Sequence, residues 1–134
     1  MRKTDIPRDF AVGLYSNGPY NSVFKNNMIV GGFESVTKGY GIQVVHPHQL
    51  EMYNNSVHYD EEGKESAALW VDVSREQFFI KNNIFSNYGE GYSVVIERIG
   101  NDTITTYESD FNNYFNNGEV IENYDFKEYP TLEN

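Results

Sequence analysis

The sequence predicts an α+β fold: one compact domain over residues 1–134, built mainly on an antiparallel β-sheet with one or two short helices. Apolar residues fall in short runs punctuated by Gly, Asn and Asp, which is the pattern of strands joined by turns. Two segments also combine helix-start and helix-stop residues around an apolar face. The length of 134 residues with 39% hydrophobic content suffices for one core and is too short for two domains.

The first strand is expected at 10–15, Phe-Ala-Val-Gly-Leu-Tyr, ending at the turn Asn17-Gly18-Pro19. Strands follow at 23–30, 40–46 and 50–59, the last two forming a hairpin about Pro47-His48-Gln49. A strand at 67–73 precedes Ser74-Arg75-Glu76-Gln77, whose spacing suits a capping box, and the Phe78-Phe79-Ile80 after it fits helix and strand equally. The clearest hairpin runs from Tyr92 to Ile99, turns at Gly100-Asn101-Asp102 and returns through the β-branched Thr103 to Tyr107. Ser109 to Gly118 predicts a short helix, with a capping Ser or Asp, Phe111, Tyr114 and Phe115 at helical spacing, and Gly at its end. The tail from Glu119 to Asn134 mixes carboxylates with Tyr124, Phe126 and Tyr129, and is expected as an edge strand or a segment ordered on binding. Asn doublets at 26–27, 54–55, 82–83, 112–113 and 116–117 are read as the composition of an AT-rich coding genome, such as that of a low-GC bacterium or its phage. No domain-length repeat is expected.

Composition excludes several chemistries. The chain has no cysteine, which removes disulfides, thiolate metal sites and cysteine nucleophiles. The basic start Met1-Arg2-Lys3 is not followed by an apolar run, and stretches such as Met28-Ile29-Val30 and Ser93-Val94-Val95-Ile96 are too short to cross a bilayer. A soluble protein of the bacterial cytoplasm is therefore expected. The formal net charge is −10, unevenly spread: residues 1–49 carry +2 and residues 50–134 carry −12. Beyond Ile99, eight carboxylates face Lys127 alone. Such a field repels phosphate backbones and favours a basic partner surface.

Local motifs are few. His46-Pro47-His48 with Glu51 has the residue types of a divalent-metal site, but the hairpin expected here carries His58 away from His46, so the three histidines do not share one ion. The acidic run Asp60-Glu61-Glu62-Gly63-Lys64-Glu65 lacks the alternating ligands of an EF-hand and reads as a solvated turn. Ser, His and Asp are all present, without a Gly-x-Ser-x-Gly elbow. Gly31-Gly32 and Gly39-Tyr40-Gly41 match neither phosphate-binding fingerprint. Twenty carboxylates make close pairs inevitable, and no single pair stands out. The aromatic load is unusual: eleven Tyr, nine Phe and one Trp suit a recognition surface as well as a core.

Together these features predict a small acidic binding protein that acts without catalytic residues or a cofactor. Its expected partner-binding residues are Asp102, Glu108, Asp110, Tyr114, Glu119, Glu122, Tyr124, Asp125 and Glu128, which engage a basic protein surface, with carboxylates standing where phosphates would. In composition alone the chain resembles small acidic phage inhibitors of host defence, with no shared motif. The alternatives are a protein that sequesters a nucleotide or sugar between aromatic rings, a metal-dependent enzyme using His46 and His48, and a virion structural protein; self-association is open.

Overall fold

A computed structural model describes residues 10–18, 20–31, 38–60, 63, 65–73, 76–98, 104–116, 122–124 and 127–129. In chain order the strands are β1 (Phe10–Asn17), β2 (Asn21–Lys25), β3 (Met28–Gly31), β4 (Lys38–Val45), β5 (Gln49–Tyr53), β6 (Ser56–Tyr59) and β7 (Ala67–Val73). They continue as β8 (Glu76–Lys81), β9 (Ile84–Asn87), β10 (Tyr92–Arg98), β11 (Ile104–Asp110), β12 (Asn113–Asn116), β13 (Glu122–Tyr124) and β14 (Lys127–Tyr129).

Apart from β13 and β14, consecutive strands do not pair with each other. β1 to β10 each pair in parallel with the strand three places on in the chain, so every coil of the backbone contributes one strand to each of three sheets. Sheet A runs β1-β4-β7-β10-β13-β14, sheet B runs β2-β5-β8-β11, and sheet C runs β3-β6-β9-β12. The chain winds as a parallel β-helix of four three-stranded coils, capped by β13 in parallel and β14 in antiparallel pairing.

This corrects the expected α+β fold. Among the described residues there is no helix, and all pairing but that of β13 with β14 is parallel. The strands expected to form a hairpin over 92–107 do not pair: β10 pairs with β7 in sheet A while β11 pairs with β8 in sheet B, and the expected turn lies outside the described residues. The hairpin expected over 40–59 is a corner, between β4 and β5, with a second corner before β6. Over 109–116 the expected helix is the end of β11, a corner, and β12, while 117 and 118 lie outside the described residues; Tyr114 turns inward against Phe85 and Phe111 projects into solvent. Gly, Asn and Asp reverse or redirect a chain equally well, so turn residues do not tell a hairpin from a coil corner.

The core lies inside the three sheets. Rows of like residues stack along it: Ile42, Leu69 and Val94 from sheet A, Leu50 and Phe78 from sheet B, and Val57 and Phe85 from sheet C, all buried. Each row buries an alternate position of its strand, which leaves the remaining positions on three outer faces.

The corners between sheets B and C are set by the asparagine doublets. Asn26, Asn54 and Asn82 hold φ near +57°, at 58°, 56° and 57°, a left-handed conformation that asparagine tolerates better than other side chains. The second member of each of these three doublets points inward. Asn27 Nδ2 donates to Asn55 Oδ1 at 2.8 Å, Asn55 Nδ2 to Asn83 Oδ1 at 2.8 Å, and Asn83 Nδ2 to Asn112 Oδ1 at 2.9 Å. The first two links span 28 residues each, which is the length of a coil. Three of the doublets expected to be mere composition thus mark the repeat of the fold.

The fourth corner has Phe111 in the left-handed position, with φ 54° and 76% of its surface exposed. A phenylalanine there is strained and packs little. Phe111→Asn is expected to raise the unfolding free energy by about 0.5–1 kcal/mol, read from the urea midpoint.

Candidate functional site

Of the residues expected to bind a partner, the side chains of Glu108, Asp110 and Tyr114 are described. Glu108 and Asp110 lie exposed on sheet B, where Lys81 Nζ pairs with Glu108 at 2.5 Å. Tyr114 packs against the core and its hydroxyl meets Ser109 Oγ at 2.7 Å. The backbone positions of Glu122, Tyr124 and Glu128 belong to β13 and β14 at the edge of sheet A. Asp102, Glu119 and Asp125 lie outside the described residues. Of this set, Glu108 and Asp110 lie exposed on sheet B while Tyr114 packs inward from sheet C.

His46, His48 and Glu51 sit at and just after the corner from β4 to β5. His48 stacks on Tyr20 with ring centroids 4.6 Å apart, and Glu51 accepts from Gln49 Nε2 at 2.9 Å. His46 is turned toward Asp72 instead. Among the described residues no group of three His, Asp or Glu side chains is placed to hold a metal ion.

The outer face of sheet A is the better candidate. Inward positions of β4, β7 and β10 feed the core, so the alternate positions gather outside: Gln43 on β4, Trp70 and Asp72 on β7, Val95 and Glu97 on β10. Tyr40 stacks on Trp70 with centroids 5.3 Å apart, and Val12 and Tyr92 complete an apolar cluster. Within it lies a pocket of about 200 Å³ lined by Tyr40, Trp70, Tyr92, Val95 and Glu97, with Lys38 and Glu65 at its rim. The rim pair is closed on itself, Lys38 Nζ lying 2.6 Å from a Glu65 oxygen.

Two acceptors of this face lack donors. Gln43 Oε1 and Asp72 Oδ1 are buried without a hydrogen-bond partner. His46 Nδ1 approaches Asp72 Oδ1 only to 3.8 Å, beyond hydrogen-bond reach. Asp72 and Glu97 occupy neighbouring positions in register, and Trp70 donates a hydrogen bond to Glu97. Burial pushes the Glu97 carboxyl above its ordinary 4.5, opposed by the Trp70 hydrogen bond. Burial likewise raises Asp72 above 3.8, opposed by His46. Because both folded values lie above the unfolded ones, each ionised carboxylate costs folding free energy near neutral pH, and the cost is relieved as pH falls through the raised values.

Sequence reasoning missed this face. The signal in the chain is a lone Trp and an aspartate inside the apolar run Leu69-Trp70-Val71-Asp72-Val73. Its partners come from two other coils, and only the winding of the chain sets Gln43 and Glu97 beside it.

No protein-family model, no curated protein and no solved structure matches the chain.

Proposed function

We propose that the protein is an acidic binding protein whose sheet A pocket takes a cationic group, a lysine or arginine side chain, from a basic protein partner. One observation carries this reading: the half-buried Glu97 carboxylate lines the pocket among aromatic rings, and Asp72, its neighbour in register, holds a buried Oδ1 without a donor. An inserted ammonium or guanidinium supplies N–H donors and charge, and aromatic faces attract cations by about 0.5–2 kcal/mol. The net charge of −10 steers such a partner in. A nucleic-acid-binding protein meets this demand, since its phosphate-contacting surface is built of Lys and Arg.

Trp70 is the sole tryptophan of the chain and sits in the pocket, so its emission reports occupancy directly. Titration with an arginine- and lysine-rich peptide is expected to change that emission saturably, more weakly at high salt. The same peptide with citrulline and acetyl-lysine in place of its cations should have no effect. Glu97→Gln is expected to weaken binding about tenfold, the scale of one charge-assisted hydrogen bond. Binding should also fade as pH drops through the raised Glu97 value, because protonation removes the charge the cation meets. An equal response to the neutral peptide, or no response to the basic one at low salt, rules the reading out.

A further inference from the structure

The outer face of sheet C holds a second constellation, on a different surface and independent of the cation pocket. His58 on β6 and Ser86 on β9 are partners in register, and Ser86 Oγ lies 2.9 Å from His58 Nδ1. The other ring nitrogen, Nε2, lies 2.9 Å from Asp60 Oδ2. Asp60 is itself held, its Oδ1 accepting the Tyr88 backbone N–H at 2.9 Å. His58 and Ser86 open into a groove of about 380 Å³ lined by Met28, Val30, Ile84, Tyr88 and Phe115, all exposed apolar side chains.

We propose that Ser86, His58 and Asp60 form a nucleophilic acyl-transfer site that cleaves esters carrying an apolar acyl chain, which lies in the sheet C groove. The hydrogen-bond directions follow from the groups present. An ionised Asp60 only accepts, so the proton of the ring resides on Nε2; Nδ1 is then the acceptor, and Ser86 Oγ–H donates to it. That is the polarity a general base needs, with the two ring nitrogens exchanging the roles they hold in chymotrypsin-type triads. Asp60 is a positioning residue: it fixes the tautomer and offsets the charge of the imidazolium.

The chemistry balances with water as co-reactant. Ser86 Oγ forms a bond to the ester carbonyl carbon while its proton passes to His58 Nδ1. The bond from that carbon to the alkoxy oxygen breaks, and the alcohol leaves with the proton from Nδ1. Water then attacks the acyl-Ser86 carbonyl carbon, giving a proton to Nδ1. The carboxylic acid departs and the proton returns to Ser86 Oγ. Sequence separation hid this arrangement, since His58 and Ser86 lie 28 residues apart, one full coil, and no elbow motif marks the serine.

The test exposes the folded full chain to an alkyl fluorophosphonate and to p-nitrophenyl acetate and octanoate. The expected result is a single covalent adduct mapping to Ser86, absent from the urea-unfolded chain, with octanoate cleaved faster than acetate. Ser86→Ala should abolish the adduct, and His58→Gln should slow its formation by at least about 100-fold, the usual contribution of a general base. A folded wild-type chain with Ser86 unmodified overturns the proposal without reference to any variant. An adduct that forms at the same rate in His58→Gln or in the unfolded chain overturns it equally, because Ser86 would then react without the base.

Discussion

Asn83→Ala is expected to lower the unfolding free energy by about 3 kcal/mol, with urea denaturation as the measurement. The Asn83 side chain is fully buried and saturated with partners. Its Oδ1 accepts both from the Asn55 backbone N–H at 2.9 Å and from Asn55 Nδ2 at 2.8 Å. Its Nδ2 donates to Met52 O and Lys81 O at 3.0 Å and to Asn112 Oδ1 at 2.9 Å. Truncation strands the Asn55 donors and the Met52 carbonyl in the interior, each a penalty of about 1–3 kcal/mol before neighbours relax, and so the sum is not additive. Asn54→Ala is the matched control. Asn54 is exposed, and its loss costs only the strain of an alanine at positive φ, about 1 kcal/mol. If the two substitutions cost the same, the inward ladder is not what holds the corners.

The second large effect concerns the contact between sheets A and C. Gly41→Ala is expected to cost about 2–3 kcal/mol, because its Cβ would meet Val57 Cγ1 at 2.5 Å and the Ala68 carbonyl oxygen at 2.6 Å. The Val57 methyl belongs to a packed core and the Ala68 oxygen to a sheet strand, so neither yields cheaply. Small residues occupy the same place in neighbouring coils: Gly13 before it, then Ala68 and Ser93, where Ser93 Oγ donates to Phe115 O at 2.9 Å. The row lets sheet A close on sheet C at one corner. Gly18→Ala makes a different comparison, since Gly18 has φ 65° and no atom near its would-be Cβ, so only backbone strain is at stake. Thermal midpoints of the two variants separate crowding from strain; a Gly41→Ala midpoint equal to that of the wild type would mean the sheets do not meet this closely.

The placement of strands was legible in the chain. The expected segment 67–73 coincides with β7, and those at 10–15, 40–46 and 92–99 fall within about two residues of β1, β4 and β10. The segments 23–30 and 50–59 each proved to be two strands, broken at Asn26-Asn27 and Asn54-Asn55. Runs of β-branched and aromatic residues mark an extended chain whatever it pairs with, which is why β content was readable and sheet topology was not. The helix expected at 109–118 rested on Phe111, Tyr114 and Phe115; their spacing also fits a corner followed by a strand, with Tyr114 facing in and Phe115 facing out.

The candidate sites were less legible still. Each assembles residues from different coils, such as Gln43 with Asp72 and Glu97, or His58 with Ser86. The equal spacing of the first three asparagine doublets, at 26, 54 and 82, was the one regularity that could have set these residues side by side in advance. Read as composition, it left each of them isolated.

By itself, then, the sequence determined that the chain is rich in strands, that thiol chemistry is absent, and that negative charge gathers beyond residue 49. The tertiary structure decided which strands pair and therefore which side chains meet. The reason is that turn residues and strand propensities act over a few positions, whereas a coil returns to its own neighbourhood only after 28 residues. At that distance the buried Asn27-Asn55-Asn83-Asn112 ladder and the stacked apolar rows select the register, and the outer faces inherit their chemistry from it.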